Sequence, residues 1–124
     1  MKRLLHSFKY AFYGFLQAFK TEQNLRIHCV SAILVIALSI RLHISKMEWF
    51  IVLLLIGGMF ALELMNTAIE RTVDLVTKDY HPLAKQAKDI AAASVLIFSI
   101  ISAIIGMMIF LPKIASNFQF FKGF

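Results

Sequence analysis

The sequence predicts an all-α integral membrane protein, in which an N-terminal amphipathic surface helix precedes three transmembrane helices. Of its 124 residues, 60% are hydrophobic and only 16% are charged, whereas soluble domains are usually about half apolar and about a quarter charged. A soluble chain of this length buries one small core, so the apolar excess needs another solvent, which a bilayer supplies. One basic, aromatic N-terminal stretch and three long apolar stretches complete the pattern.

Residues 3–20 predict the surface helix. Apolar side chains recur there at spacings of three and four, as one face of a helix requires. These side chains are Leu4, Leu5, Phe8, Phe12, Phe15, Leu16 and Phe19. Lys and Arg residues lie beside them, an arrangement that suits the lipid headgroup boundary. A helix packed on other parts of the protein would show the same periodicity, and the sequence leaves both interpretations open.

The predicted membrane spans are residues 27–44, 48–65 and 90–111, all within a single membrane domain. The first span is the weakest, because its clean apolar stretch is shorter than the ~20 residues that usually cross a bilayer. Trp49 gives the second span an interfacial anchor. No Pro or Gly cluster follows, so this helix is expected to continue beyond the membrane to about Thr77.

The segments that flank the spans are expected to be non-helical. Residues Ser45 to Glu48 predict a short turn between the first two spans. The polar segment 77–88, which contains Pro82, predicts a loop between the second and third. Pro112 is expected to stop the third span, because proline has no N–H to continue a helix.

The distribution of basic residues predicts the orientation. With three spans, residues 1–26 and 71–89 share one side and hold nine Lys and Arg, against four on the other side. The positive-inside rule places the nine in the cytoplasm, where ATP is available. The net charge of +6 would suggest nucleic acid in a soluble domain. In a membrane protein it anchors loops and contacts anionic lipid, so no nucleic-acid partner is expected.

Acidic and polar residues concentrate between Glu63 and Asp74. On a helix, Asn66, Glu70 and Asp74 lie at about 300°, 340° and 20° from Glu63, within one stripe. Glu63 and Glu70 are about 10 Å apart along the axis, too far to share one metal ion. Glu63 follows fourteen uncharged residues, and a carboxylate in such a helix usually faces protein, water or a partner. It could be a general base, or it could pair with Lys or Arg and only fix helix packing.

Further candidates lie beside this stripe. Glu22 ends the surface helix, and Lys88 and Asp89 precede the third span. A lysine there could neutralise phosphate charge, and carboxylates could hold Mg²⁺. The standard nucleotide-binding motifs are absent from the sequence. His28 has no partner at metal-ligand spacing and is interpreted as structural. The residues alone therefore predict a divalent-metal or acid–base site without specifying a reaction.

The run Glu63-Leu-Met-Asn-Thr-Ala-Ile-Glu-Arg-Thr-Val-Asp74 resembles the signature of the prokaryotic diacylglycerol kinase family. So do Asp79-Tyr-His81 and Ala87-Lys-Asp89, and the similarity covers about residues 3–111. The resemblance implies a surface helix, three spans and a homotrimer with sites shared between chains, in a bacterial inner membrane. The stretch FKYAFYGFLQAFKTEQNLRIH resembles the Gram-positive branch, whose members act mainly as undecaprenol kinases. Undecaprenol is therefore favoured over diacylglycerol as the substrate.

The resemblance also implies roles for individual residues. Glu63 resembles the family's catalytic base, and Asn66 resembles a polar residue that helps to order the site. Glu22 and Glu70 match carboxylates that bind Mg²⁺. The residues that match nucleotide contacts are Arg3, Tyr10, Glu22, Glu70, Asp79, Tyr80, His81, Lys88 and Asp89. The implied reaction is transfer of the γ-phosphoryl group of ATP to a lipid hydroxyl at the membrane surface.

Two other classes of function stay open on the sequence. A small proton-coupled transporter could also use a membrane-embedded glutamate, but it would normally have more spans or inverted repeats. A non-catalytic membrane protein would explain the basic N-terminal helix, but it would not explain the acidic stripe. ATP consumption that depends on a lipid alcohol distinguishes a kinase from both.

Overall fold

The computed structural model describes residues 2–122 and folds them into four helices. These are α1 (Lys2–Thr21), α2 (Gln23–Arg41), α3 (Lys46–Val76) and α4 (Pro82–Lys122). Helices α2, α3 and α4 are each long and apolar enough to cross a membrane. The expected all-helical fold with three long apolar helices is confirmed, and α3 ends next to Thr77 as expected.

The start of α3 corrects the turn that was predicted at Ser45–Glu48. Helix α3 already begins at Lys46, because Ser45 and Glu48 form a capping box. The Ser45 hydroxyl accepts the backbone N–H of Glu48 at 3.3 Å, and a Glu48 carboxylate oxygen accepts the backbone N–H of Ser45 at 2.6 Å. The two side chains thus satisfy N–H groups that a helix start otherwise leaves unpaired.

The loop predicted over residues 77–88 is shorter than expected. The non-helical residues are only 77–81, and Pro82 is the first residue of α4. Proline suits that position, since its missing N–H would have had no partner within the helix. Nδ1 of His81 accepts the backbone N–H of Leu83 at 3.3 Å and so caps the new helix. As a result, Lys88 and Asp89 lie on a helix rather than on a loop.

The prediction that Pro112 stops the last helix is wrong. Helix α4 continues through this proline to Lys122. Proline removes one hydrogen bond within a helix, but apolar membrane helices tolerate it where neighbouring groups compensate. Lys113, the next residue, forms an ion pair with Glu48 at 3.1 Å. That contact holds the segment around the proline against the first turn of α3.

Helices α3 and α4 form an antiparallel hairpin, which is the main packing contact of the fold. At one end Glu48 meets Lys113, and near the middle the Ser99 hydroxyl lies 3.7 Å from the Met59 sulfur. Helix α2 packs on α3, whereas α2 and α4 make no close backbone contact in the described part of the chain. A groove therefore runs between α2 and α4, and α3 forms its floor.

A small apolar core closes the end of the bundle near the α2–α3 connection. Its buried members are Ile44, Val52, Ile109 and Phe110. At the opposite end Leu25 is fully buried, and α1 packs on α3 through an edge-to-face contact between Phe15 and Phe60, with ring centroids 6.2 Å apart. The acidic stripe lies at this second end.

Candidate functional site

A cleft of about 330 Å³ lies between α2, α3 and α4, at the end of the bundle where α3 ends and α4 begins. Glu63 and Asn66 line it from α3, and Ala92 and Ser99 line it from α4. Its α2 wall includes His28. The first part of the stripe is thus one wall of a cavity whose other walls carry both apolar and polar side chains.

Glu63 is the most buried charged residue described, with only 2% of its surface exposed. One of its carboxylate oxygens, Oε2, has no hydrogen-bond partner within the described residues. Within the same residues Glu63 forms no ion pair, so the interpretation as a packing ion pair finds no partner. A buried polar atom without a partner is costly, so a donor that reached Oε2 would be stabilising.

Asn66 connects Glu63 to the more exposed part of the stripe. It is 9% exposed, and its Nδ2 donates to Oε1 of Glu70 at 3.2 Å. Its own Oδ1 is buried and has no partner within the described residues. The amide thus fixes one oxygen of Glu70 and presents a free acceptor beside Glu63. Helix α3 is continuous from Glu63 to Asp74, so the stripe expected from helical periodicity is present on one helix.

Glu22 reaches α3 through a residue that the sequence did not single out. Nη2 of Arg71 donates to Oγ1 of Thr21 at 2.5 Å and lies 3.3 Å from Oε1 of Glu22. Arg71 directly follows Glu70, so this contact brings the Glu22 carboxylate to the same part of α3. A basic residue beside the acidic stripe was the available sequence signal, but its partner lies 49 residues away.

Two further acids, Asp74 and Asp89, are paired with lysines. Lys88 forms an ion pair with Asp74, which joins the start of α4 to the end of α3. Lys85 pairs with Asp89 one turn along α4. Both pairs are largely exposed, and exposed ion pairs contribute little stability. Their carboxylates and ammonium groups therefore remain accessible to a charged ligand.

The predicted nucleotide contacts on α1 and in the connecting segment are exposed side chains. Tyr10 is exposed and packs edge-on against His6, with ring centroids 6.4 Å apart. Tyr80 is exposed, and the backbone N–H of Asp79 donates to the Thr77 hydroxyl at 3.2 Å. Within the described part of the chain, the side chains of Arg3, Tyr10, Asp79, Tyr80 and His81 form no hydrogen bond or ion pair with the stripe. Glu63 and Asn66 line one cleft, and Asn66 contacts Glu70. Glu22 contacts Arg71, the residue after Glu70, and Lys88 contacts Asp74.

His28 belongs to the cleft, although the sequence treated it as structural. It lines the Glu63 cleft and also a second, apolar cavity of about 360 Å³ in the groove between α2 and α4. Ser99 likewise lines both cavities. The two cavities therefore adjoin each other, with the acidic cleft at one end and the apolar one deeper along the helices.

The carboxylates fit a cation that arrives with a phosphate ligand better than a permanent metal centre. Among the residues that the structure describes, no three His, Cys, Asp or Glu side chains cluster as a metal site. Mg²⁺ keeps several waters and commonly uses one or two carboxylates together with substrate phosphates. Glu70, with one oxygen fixed by Asn66, and Glu22, with one oxygen fixed by Arg71, match that smaller requirement.

Comparison with known proteins agrees with the resemblance carried by the stripe. The family model for prokaryotic diacylglycerol kinase matches residues 9–110. An undecaprenol kinase of Bacillus subtilis is 50% identical over 114 residues, which cover 92% of this chain and 93% of that protein.

A diacylglycerol kinase of Synechocystis is 42% identical and covers 91% of this chain and 65% of its own length. A diacylglycerol kinase of Haemophilus influenzae is 36% identical, over 78% of this chain and 82% of that protein. The family match spans both walls of the cleft formed by α2 and α4 as well as the entire acidic stripe. The chain therefore belongs to the prokaryotic diacylglycerol kinase family.

Proposed function

We propose that the chain is an undecaprenol kinase, which transfers the γ-phosphoryl group of ATP to the lipid hydroxyl at the cytoplasmic face of a bacterial inner membrane. The observation that carries the proposal is the buried Glu63 carboxylate, whose Oε2 is unpaired within the described residues in a cleft that adjoins an apolar cavity. Membership of a lipid kinase family and the 50% identity to an undecaprenol kinase support the reaction and the substrate.

Glu63 is proposed as the general base. A hydroxyl that reaches the unpaired Oε2 would donate its proton to that oxygen and become the nucleophile. The cleft walls around Glu63 combine the apolar side chains of Ile27, Val95 and Leu96 with the polar side chains of Asn24, His28 and Ser99. General-base catalysis of this kind typically contributes 10²–10⁴-fold in rate.

The phosphate end of the reaction is proposed to lie along the exposed part of the stripe. Mg²⁺ bound with ATP would neutralise phosphate charge during transfer. Glu22 and Glu70 supply carboxylate oxygens, and Lys88 supplies a positive charge from α4. Phosphoryl transfer depends mainly on positioning and charge neutralisation, which this set provides without any soluble-kinase motif.

The adjoining apolar cavity is where the lipid tail would enter the protein. It is lined mainly by aliphatic and aromatic side chains, among them Val35, Ile56 and Phe110. It shares His28 and Ser99 with the cleft, so a lipid whose hydroxyl reaches Glu63 can lie along the groove. A single groove suits a single-tailed polyprenol. Diacylglycerol, with two tails, is the alternative substrate within the family.

The orientation and assembly follow the same proposal. The excess of Lys and Arg in residues 1–26 and 71–89 supports a cytoplasmic site. Helix α1 would lie at the headgroup boundary as an amphipathic helix. A homotrimer would cover the exposed sides of the cleft with neighbouring chains, and Ala91, Ala92 and Ala93 would permit close helix contact.

Turnover of two lipids in parallel tests the proposed substrate. The purified protein is assayed in detergent with MgATP and either undecaprenol or diacylglycerol, and lipid phosphate is measured. We expect undecaprenol to have the higher kcat/KM. Preference for diacylglycerol would assign the chain to the alternative substrate. Turnover of neither lipid would overturn the kinase proposal.

Replacing Asn66 with alanine tests whether its amide orders the site. Asn66→Ala removes the donor that fixes Glu70 and also removes a buried acceptor without a partner. We expect turnover to fall about 10-fold or more. The free energy of unfolding in detergent should change by less than about 1 kcal/mol, because the substitution also removes a buried acceptor that has no hydrogen-bond partner. Full activity with lower stability would give Asn66 a packing role only.

A further inference from the structure

We propose that Arg71 is a positioning residue that holds Glu22 against the acidic part of α3. The inference rests on the proposed function, since it concerns how the kinase orients a carboxylate toward its cation. It adds a residue that lies beside the stripe and outside the set implied by family resemblance.

Glu22 occupies a position that does not fix its own side chain. It is the one non-helical residue between α1 and α2, with φ −98° and ψ 117°, and its side chain does not cap α2. A carboxylate at such a joint has several rotamers available, and ordering it costs side-chain entropy. A ligand group needs to be held within a fraction of an ångström of its working position. Glu22 therefore requires a contact from another helix to fix its side chain.

Arg71 supplies that contact through two neighbouring groups. Its Nη2 donates to the Thr21 hydroxyl at 2.5 Å and forms an ion pair with Oε1 of Glu22 at 3.3 Å. The Thr21 hydroxyl in turn lies 3.0 Å from the same Oε1. One guanidinium thus fixes both residues at the α1–α2 joint to α3, 50 residues away in sequence for Thr21.

The contact leaves half of the Glu22 carboxylate for a cation. Oε1 carries both contacts, and Oε2 accepts no hydrogen bond from the described residues. The side chains of Arg71 and Glu22 are 42% and 29% exposed, and ion pairs of that exposure contribute little to stability. The effect of Arg71 is therefore expected in cation binding rather than in folding.

A competing arrangement makes the opposite prediction. If the guanidinium only occupied the carboxylate until a cation displaced it, removing Arg71 would tighten cation binding. If Arg71 positions Glu22, removing it weakens cation binding. The sign of the change in Mg²⁺ requirement therefore separates the two.

The central variant is Arg71→Met, which keeps an unbranched stem and removes the donors. The matched control is Lys46→Met, which removes an exposed charge at the opposite end of α3. We expect the Mg²⁺ concentration for half-maximal lipid phosphorylation to rise about tenfold in Arg71→Met. The kcat at saturating Mg²⁺ should stay within about twofold, because the reacting groups are unchanged. The control should match the wild type.

Thr21→Val provides a second variant of the same contact. It keeps the shape of threonine and removes the hydroxyl that accepts from Arg71. We expect Thr21→Val to raise the Mg²⁺ requirement less than Arg71→Met does. When the two substitutions are combined, the rise should be smaller than the sum of their separate effects, because both disrupt the same hydrogen-bond network. Hydrogen exchange of the backbone amides of residues 21–24 gives a readout that does not depend on activity. Exchange should be faster in both variants and unchanged in the control.

Each outcome decides the matter. A higher Mg²⁺ requirement together with faster exchange at the joint supports the proposal. A lower Mg²⁺ requirement would establish the competing arrangement, and faster exchange with unchanged Mg²⁺ dependence would leave Arg71 a structural role only. If the wild type phosphorylated no lipid, the proposed function itself would be disproved. If the wild type were active and the variants had unchanged Mg²⁺ requirement and hydrogen exchange, only the role of Arg71 would be disproved.

Discussion

Glu63→Gln is expected to abolish lipid phosphorylation while leaving the fold and the assembly intact. Glutamine has nearly the same shape but cannot accept a proton, so the hydroxyl in the cleft would lose its base. The loss should be about 100-fold or more in kcat, the range attributed to general-base catalysis. Burial of a neutral amide costs less than burial of a carboxylate, so thermal stability should not fall. Turnover measures the loss of activity, the mass of the detergent-solubilised protein measures the assembly, and the melting temperature measures the stability.

Glu48→Gln is the matched control for this substitution. Glu48 lies on the same helix, but at its opposite end, where it pairs with Lys113 and caps α3. Its replacement should retain turnover and lower the melting temperature, since it weakens a cap and an ion pair. If Glu63→Gln retained wild-type turnover, Glu63 could not be the base. If Glu63→Gln lost both its turnover and the mass of the wild-type assembly, the Glu63→Asp variant would be the test. It should form an assembly of wild-type mass and still have reduced turnover.

Glu70→Ala and Glu22→Ala should each raise the Mg²⁺ requirement strongly. Each removes a carboxylate that would complete the coordination of a cation carried by ATP, and Mg²⁺ sites in such enzymes rely on only one or two protein carboxylates. We expect the half-saturating Mg²⁺ concentration to rise at least about tenfold in each variant. The measurement is lipid phosphate formed at fixed ATP over a Mg²⁺ titration.

The two variants should also differ from each other. Glu70 is fixed by Asn66, which lines the cleft beside Glu63, so its loss should lower kcat as well. Glu22 lies on the joint between α1 and α2, so its loss should act mainly on the Mg²⁺ requirement. Glu48→Ala serves as the acidic control at the far end of α3. Unchanged Mg²⁺ dependence in either variant would exclude that residue as a ligand.

Much of the fold was predictable because a bilayer imposes simple patterns. Long apolar runs predicted the three long apolar helices. The absence of breakers after Glu63 predicted that the second continues to about Thr77, and α3 ends at Val76. Helix ends were harder, because they depend on local caps. Pro82 and Pro112 were both interpreted as breaks, yet one begins a helix and the other lies inside it. A proline signals a missing N–H, and only the surroundings decide whether that ends a helix.

The candidate site was predictable along one helix but not across helices. The period of 3.6 residues placed Glu63, Asn66 and Glu70 on one face, and the structure retains that order. The opposing wall at His28 and the contact from Arg71 to Glu22 depend on how α2 packs on α3. Such contacts join residues far apart in the chain, and periodicity within one helix carries no information about them.

The separation of α2 from α4 has a consequence for how a lipid reaches the reacting groups. Because these two helices make no close backbone contact within the described residues, the cavity above α3 is open along the side of the bundle between them. A lipid-facing position for that opening is part of the proposed function. Under the proposed function, a long-chain alcohol would reach the cavity by lateral diffusion, and its tail would remain in the bilayer throughout. Its phosphorylated product would depart the same way, with the new charge already at the aqueous boundary. The lipid would then bind without being extracted from the bilayer. Selectivity among lipids would depend on how the hydrocarbon chain fits between α2 and α4.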